Sequence, residues 1–149
     1  MDARRRDEVR LWLYVLEVYG EIFDELNRSL KAQAGISLTK YDALAQLYRF
    51  PDGLSMSALS TALKVTNGNV SGLVSRLVKD GLAEKRMSDT DRRSFSALMT
   101  PEGRSTFEHA IRVHDSILSK HLSRLNSEEL GTAVQALRRV ASSFKTSSE

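Results

Sequence analysis

The residues best suited to bind a nucleic acid lie between Lys64 and Arg93. This stretch holds seven Lys or Arg and four Asp or Glu, and the remaining residues hold 15 of each sign. The formal net charge of the chain, +3, therefore comes from this one stretch. Near its start the stretch contains Thr66 and Asn67, whose short side chains can form hydrogen bonds. Side chains of this kind can read base edges, while Lys and Arg bind phosphates.

A helix is the element that must present these polar residues. Apolar residues recur at helical spacing through the stretch. They are Val70, Leu73, Val74 and Leu77. Gly68 and Gly72 lie on the opposite face, and glycine inside a helix costs about 1 kcal/mol relative to alanine. Close approach to another surface would explain them. The alternatives are the solvated face of a core helix and a hairpin turn at Asn67-Gly68, but the helical pattern that follows favours a helix start.

Two neighbouring elements complete the predicted DNA-binding lobe. Ser55 is expected to cap a preceding helix, and Thr66 to cap the polar helix, which ends at Asp80-Gly81, so the two helices are joined by a tight turn. Residues 82–87 and 94–99 are predicted to form two strands around a polar turn.

The hairpin, or wing, carries an arginine suited to a narrow minor groove. We expect Arg92 to enter it, and Asp89 or Asp91 to orient the guanidinium, although a solvated charged turn is the alternative. The candidate DNA contacts are Ser55, Thr66, Asn67, Gly68, Asn69, Ser71, Gly72, Ser75, Arg76, Lys79, Arg86, Arg92 and Arg93.

Four further helices are predicted around this lobe. The first covers residues 2–34 and ends near Gly35, and the second starts at a Thr39–Asp42 capping signal and stops before Pro51. Thr100-Pro101-Glu102 starts the fifth helix, and a segment beginning at Asn126 starts the sixth. We expect one mainly α domain over residues 1–149, with residues 36–100 as the lobe and residues 2–34 and 101–145 as long flanking helices.

Composition argues against several other classes of protein. The chain has no cysteine, so disulfides, thiolate metal sites and thiol nucleophiles are excluded. We expect a cytoplasmic protein without a membrane span, because no apolar run approaches about 20 residues. No phosphate loop, nucleophile elbow or metal-protease motif suggests an enzyme. A helical adaptor that binds only proteins remains an alternative.

Three histidines on the fifth helix leave metal sensing as another alternative. His109, His114 and His121 lack a recognised ligand spacing, which favours a structural role, so we expect no catalytic or metal-binding residues.

Several motifs make the chain resemble the MarR family of winged helix-turn-helix regulators. They are Leu54-Ser55, Val65-Thr66, Leu73-Val74-Ser75-Arg76-Leu77, Gly81-Leu82, Asp89-Thr90-Asp91-Arg92-Arg93 and the stretch from Leu98 to Gly103. The resemblance implies a fold with a two-stranded β wing and a homodimer held by the first, fifth and sixth helices. It also implies a repressor that a small ligand releases from a pseudo-palindromic operator in double-stranded DNA. The chain departs from the family at Ala58, where many members have Glu, and at Gly72, where many have a larger or basic residue.

The implied dimer contacts lie on the last two helices. They are Leu122, Leu125, Leu130, Val134, Leu137 and Phe144.

Residues 65–74 and 10–13 are similar to family members that control hydroxycinnamate catabolism. This similarity implies a hydroxycinnamoyl-CoA or a phenolic acid as effector, and no cofactor. The expected effector-binding residues are Trp12, Leu16, Tyr19, Phe23, Tyr41 and Tyr48, for which ordinary core packing is the alternative. Cations available for the phosphates of CoA are Arg4, Arg5, Arg6 and Arg10, or Arg49.

Overall fold

The computed structural model describes residues 2–64, 66–88 and 94–145. The helices are α1 (Ala3–Ala34), α2 (Leu38–Arg49), α3 (Met56–Leu63), α4 (Asn67–Lys79), α5 (Pro101–Leu122) and α6 (Ser127–Ser143). The strands are β1 (Leu54–Ser55), β2 (Ala83–Met87) and β3 (Phe95–Met99). The fold is mainly α with a small antiparallel sheet, which confirms the predicted class. The chain divides into two compact units, Met1–His114 and Asp115–Glu149.

Local capping chemistry sets the ends of the first two helices. α1 ends at Gly35, which has the left-handed φ of 71° that favours glycine, and its N–H donates to the carbonyl of Leu30. The predicted cap of α2 at Thr39 was wrong, because the hydroxyl of Ser37 accepts from the N–H of Lys40 at 3.2 Å. The side-chain oxygen of Asn27 on α1 accepts from the N–H of Leu38 at 3.0 Å, which fixes the helix start at that residue.

The core of the first unit is mainly apolar, and neither β1 nor the first half of α1 contributes a buried residue to it. Its fully buried large side chains are Leu30, Ile36, Leu44, Leu47, Leu59, Leu77, Val70 and Val74. The buried side chains of α1 are Leu26 and Leu30, both in its C-terminal third. The N-terminal half of α1 therefore contributes nothing to the core of its own protomer.

The wing belongs to a three-stranded antiparallel sheet with the order β1-β3-β2. β2 pairs with β3 from Ala83↔Met99 to Met87↔Phe95, which confirms the predicted hairpin strands. The sequence did not reveal β1, whose two residues pair with Ala97 and Ser96 of β3. A two-residue strand is too short to show the alternation by which strands are recognised.

A set of short contacts, which we name the α4–α5 joint, connects the end of α4 to the start of α5. The hydroxyl of Thr100 donates to the carbonyl of Gly81 at 2.6 Å and accepts from the N–H of Gly103 at 2.9 Å. The N–H of Thr100 donates to the carbonyl of Leu82 at 3.2 Å. A Cβ at Gly103 would collide with the carbonyl oxygen of Leu82, so only glycine fits this position. The joint thus comprises Gly81, Leu82, Thr100 and Gly103.

The second unit contains the C-terminal end of α5 and all of α6. Asn126 caps α6 in a capping box, in which its side chain accepts from the N–H of Glu129 and the Glu129 carboxylate accepts from the N–H of Asn126. α6 has no buried residue. In the described part of the chain, no helix is both long and apolar enough to cross a membrane.

Candidate nucleic-acid interface

Two hydroxyl caps position the helices of the lobe as predicted. The hydroxyl of Ser55 accepts from the N–H of Ala58 at 3.0 Å, and that of Thr66 accepts from the N–H of Asn69 at 3.3 Å. Each hydroxyl satisfies one of the free N–H groups at a helix start. The remaining free N–H groups of the first turn of α4 stay available to an anion such as phosphate.

α4 is amphipathic in the predicted orientation. Its inner face is buried and consists of Val70, Leu73, Val74 and Leu77. The outer face is polar, and its exposed residues include Asn69, Ser71, Ser75, Arg76 and Lys79. This pattern leaves short donors and acceptors together with two cations on one accessible face of a helix.

The two glycines of α4 serve no packing purpose within the protomer. A Cβ built on Gly68 would meet nothing within 4 Å, and one on Gly72 would meet only the end of the Arg76 side chain at 3.4 Å. Neither glycine has a positive φ. Alanine would therefore fit both positions, so the outer face of α4 is flatter than the protomer itself requires.

Lys85 on the wing contacts the outer face of α4. Its ammonium group donates to the hydroxyl of Ser75 at 3.0 Å. The candidate contacts predicted from the sequence did not include Lys85. Strand alternation could have found it, because Lys85 and Arg86 must point to opposite faces of β2.

Arg86 has a different environment from Lys85. It pairs with the carboxylate of Glu84 at 3.2 Å, and both side chains are exposed on the strand face away from Lys85. The side chain of Asn67 and the predicted wing-tip residues Arg92, Arg93, Asp89 and Asp91 lie outside the described residues.

An acidic residue at the end of α4 is neutralised within the lobe. Lys40 of α2 binds the carboxylate of Asp80, the C-cap of α4, at 2.6 Å, and Lys40 is the more buried of the two side chains. The pair ties α2 to the end of α4 and offsets the negative charge beside Lys79. The outer face of α4 consequently keeps its positive character.

Comparison with known proteins places this geometry in a family. Residues 34–94 match the model of the MarR family. The crystal structure of a MarR family transcriptional regulator from Silicibacter pomeroyi is 46% identical, with 97% of this chain and 99% of that chain covered and a TM-score of 0.82. The chain belongs to the MarR family.

Other relatives of this MarR-family chain agree with that assignment. Sco3205 from Streptomyces coelicolor, a MarR family regulator solved in complex with DNA, is 25% identical over 97% of this chain and 93% of its own, with a TM-score of 0.86. The transcriptional repressor YetL of Bacillus subtilis is 29% identical over 82% of this chain and 77% of its own length. The chain is a DNA-binding transcriptional regulator and not an enzyme.

A more distant relative shares the fold of this chain. CouR from Rhodococcus jostii RHA1, solved with p-coumaroyl-CoA, is 18% identical over 88% of this chain and 91% of its own, with a TM-score of 0.77. At this identity the likeness shows a shared MarR fold.

The predicted effector residues of this MarR-family protein fall into two groups. On α1, Trp12, Leu16 and Tyr19 are exposed, and the ring of Phe23 lies 5.6 Å from that of Tyr19. On α2, Tyr41 and Tyr48 both pack on Phe107 of α5, at ring distances of 5.2 and 4.9 Å.

Tyr41 and Tyr48 differ in exposure. Tyr41 is only 6% exposed and stacks on His114 at 4.5 Å, so most of its ring is core. Tyr48 is 37% exposed, and the guanidinium of Arg104 lies 4.9 Å from its ring centre. Tyr48 is therefore the more accessible ring of the two.

Burial raises the pKa of the Asp42 carboxyl group, next to Tyr41 in sequence, and the charge of His114 partly opposes that shift.

Two histidines of α5, His109 and His114, have separate neighbours. The Nε2 atom of His109 lies 2.9 Å from the carbonyl of Gln33 at the end of α1, whereas His114 stacks on Tyr41. Among the described residues, no group of three or more His, Cys, Asp or Glu side chains is arranged to hold a metal ion.

The residues predicted to form the dimer interface lie on an exposed apolar face of the second unit. Leu125, Leu130, Val134, Leu137 and Phe144 are all exposed, and Phe144 reaches 70%. Leu122 and Leu125 also line an open groove of about 290 Å³ between α5 and α6. An exposed apolar row of this kind is unfavourable in water, so a protein surface is expected to cover it.

Proposed function

We propose that this MarR-family regulator is a homodimeric repressor that binds a pseudo-palindromic operator and is released by an aromatic ligand or its CoA thioester. The outer face of α4 is the observation that carries the DNA-binding part of this proposal. It combines a capped helix start, two glycines with free space above them, and the cations Arg76 and Lys79. Short polar side chains and cations on an accessible helix face suit a groove-reading helix, whereas a helix that only supports a core has no use for them.

A second copy of the chain is the partner we assign to the apolar faces of α1 and α6. Four consecutive residues of α1 are large, apolar or aromatic, and exposed, from Leu11 to Tyr14. At 100° per residue they point in every direction around the helix, and a helix that is apolar all round is normally buried. α6 presents Val134, Leu137 and Phe144 in the same uncovered state.

Symmetry favours the second copy over an unrelated partner. In a twofold dimer the same apolar residues of the two copies can cover one another, and the twofold symmetry matches a pseudo-palindromic operator, whose half-sites lie about one helical turn, near 34 Å, apart.

An aromatic acid or acyl-CoA suits the exposed aromatic residues of α1. Trp12 and Tyr19 are seven residues apart, lie on one face of the helix, and are 60% and 65% exposed. Such rings can stack on a planar phenolic group.

Two of the N-terminal arginines already have acidic partners. The guanidinium group of Arg4 pairs with Glu8 at 3.0 Å, and that of Arg10 pairs with Asp7 at 3.6 Å.

Arg5 and Arg6 are the better candidates for the CoA phosphates. Both are exposed, and neither takes part in the ion pairs found among residues 2–64, 66–88 and 94–145.

One binding experiment tests DNA recognition and dimer formation together. A duplex selected by the protein from a random pool would be titrated in fluorescence anisotropy, with sedimentation velocity to give the mass of the complex. We expect two protomers on one duplex and an affinity that falls steeply with salt. Salt-independent binding, or one protomer per duplex, would contradict the proposal.

The effector is tested by displacement from the same duplex. p-Coumaroyl-CoA and feruloyl-CoA would be compared with the free acids and with CoA alone, so that the aromatic and phosphate contributions are separated. We expect at least one aromatic compound to release DNA, and the variant Tyr19→Ala, which lies outside the run from Leu11 to Tyr14, to respond more weakly. Retention of DNA in the presence of all these compounds would reject this class of effector.

A further inference from the structure

The contact with Lys85 leaves the hydroxyl of Ser75 as a hydrogen-bond donor toward other groups. The hydroxyl accepts from the ammonium of Lys85 at 3.0 Å, which occupies one lone pair and points the ammonium charge at the oxygen. A second donor approaching that oxygen would meet this positive charge. The O–H of Ser75 is therefore best matched by an acceptor, such as a phosphate oxygen or the N7 or O6 atom of guanine.

Lys85 has donors left over for an anion. Its ammonium group carries three N–H donors, of which Ser75 uses one. The ion pairs of the described residues do not include Lys85, and the nearest acid in sequence, Glu84, is paired with Arg86 on the other face of the strand. The charge of Lys85 is therefore not compensated by those pairs.

An apolar cross-strand pair lies on the same side of the hairpin as Lys85. Met87 faces Phe95 in the register of β2 and β3, and strand alternation places both on the face of Lys85. Met87 is 51% exposed and Phe95 is 40% exposed, so the core does not explain them. An apolar pair beside a cation matches the alternating sugar carbons and phosphates of a nucleic-acid strand.

We propose that Ser75, Lys85, Met87 and Phe95 form a backbone clamp, which holds one DNA strand between α4 and the wing. Lys85 binds a phosphate and at the same time orients Ser75 as a donor, while Met87 and Phe95 pack against the adjoining deoxyribose. The clamp rests on the proposed DNA-binding function and assigns a specific contact within it. Lys85 is a positioning residue for Ser75 as well as a phosphate ligand.

The salt dependence of DNA binding tests the phosphate contact of Lys85. Each phosphate contact adds about 0.9 to the slope of log K against log salt, so Lys85→Gln should reduce the slope of a dimer by about 1.8. Lys31→Gln on α1 makes the same charge change outside the lobe and should leave the slope unchanged. Lys85→Arg keeps the cation and should retain the wild-type slope. Circular dichroism would check that each variant is folded.

A double-mutant cycle tests the link between Lys85 and Ser75. We expect Ser75→Ala to weaken binding at least about threefold more in the wild type than in the Lys85→Gln background. A wild-type slope for Lys85→Gln, an equal slope change for Lys31→Gln, or additive effects in the cycle would overturn the clamp. Wild-type protein that binds no DNA would instead refute the proposed function itself.

Discussion

The substitution Gly72→Ala is expected to stabilise the protein and weaken its binding to DNA. Gly72 lies inside α4, where alanine is favoured over glycine by about 1 kcal/mol. The added Cβ lies in free space apart from the flexible end of Arg76 at 3.4 Å, so steric strain does not cancel this gain. For a chain of this length, the gain corresponds to a rise in Tm of about 2–4 °C.

The effect on DNA binding has the opposite sign. If the outer face of α4 lies against the floor of the major groove, a methyl group at Gly72 separates the two surfaces and weakens neighbouring contacts. We expect about a tenfold loss of affinity, which corresponds to about 1.4 kcal/mol. The change should appear with the selected duplex and be smaller with unrelated DNA, where phosphate contacts dominate.

Thermal unfolding of the free protein and anisotropy titration of DNA measure the two effects separately. Protomer concentration must be equal for all variants, because the Tm of a dimer depends on it. Ser105→Ala on the exposed face of α5 is the control, with a smaller gain in stability and unchanged affinity. Gly72→Ala protein that is more stable and binds the duplex as tightly as the wild type would refute close approach as the reason for the glycine.

Three further substitutions test the joint, the proposed dimer and the carboxyl group of Asp42. Gly103→Ala should lower the free energy of unfolding by about 1–3 kcal/mol in urea titration, because its Cβ would collide with the Leu82 carbonyl; unchanged stability would disprove the tight contact. Val134→Asp should convert dimer to monomer in sedimentation velocity, and a dimer at micromolar concentration would argue against α6 as the interface. Burial raises the pKa of Asp42, so its stabilising protonated form is lost as pH rises through the folded-state pKa. Asp42→Asn should therefore gain stability relative to wild type between about pH 4 and about pH 7 in urea titration, and an equal difference at both pH values would contradict this.

Capping residues were predictable because their chemistry is local. Ser55, Thr66 and Asn126 each accept from the N–H three residues later, as their position before an amphipathic segment indicates. The start of α2 was missed because Ser37 and Thr39 are both hydroxyl residues placed before the same apolar segment, and it is the hydroxyl of Ser37 that accepts from the N–H three residues later. The side chain of Asn27 also accepts from the N–H of Leu38, 11 positions away in sequence, and no local pattern records that contact.

Features that depend on packing between elements were less accessible from the sequence. The face that Lys85 occupies follows from alternation along β2, but its contact with Ser75 requires the position of the hairpin relative to α4. The burial of Tyr41 likewise depends on Phe107 and His114, which only the folded α5 brings to it. An aromatic residue at helical spacing can belong to a core or to a pocket, and the neighbours decide between them.

The α4–α5 joint determines where sequences of related regulators can be recombined. Its contacts connect backbone carbonyls of Gly81 and Leu82 with Thr100 and Gly103, so a recombined chain must keep the Thr100 hydroxyl and the absence of a Cβ at position 103. A chimera that exchanges residues 56–79 leaves the joint intact and can acquire a new operator preference. A crossover placed between Leu82 and Thr100 would instead pair two surfaces that did not evolve together. The joint is thus a natural boundary for grafting recognition helices and also a constraint on how the operator preference of such proteins diverges.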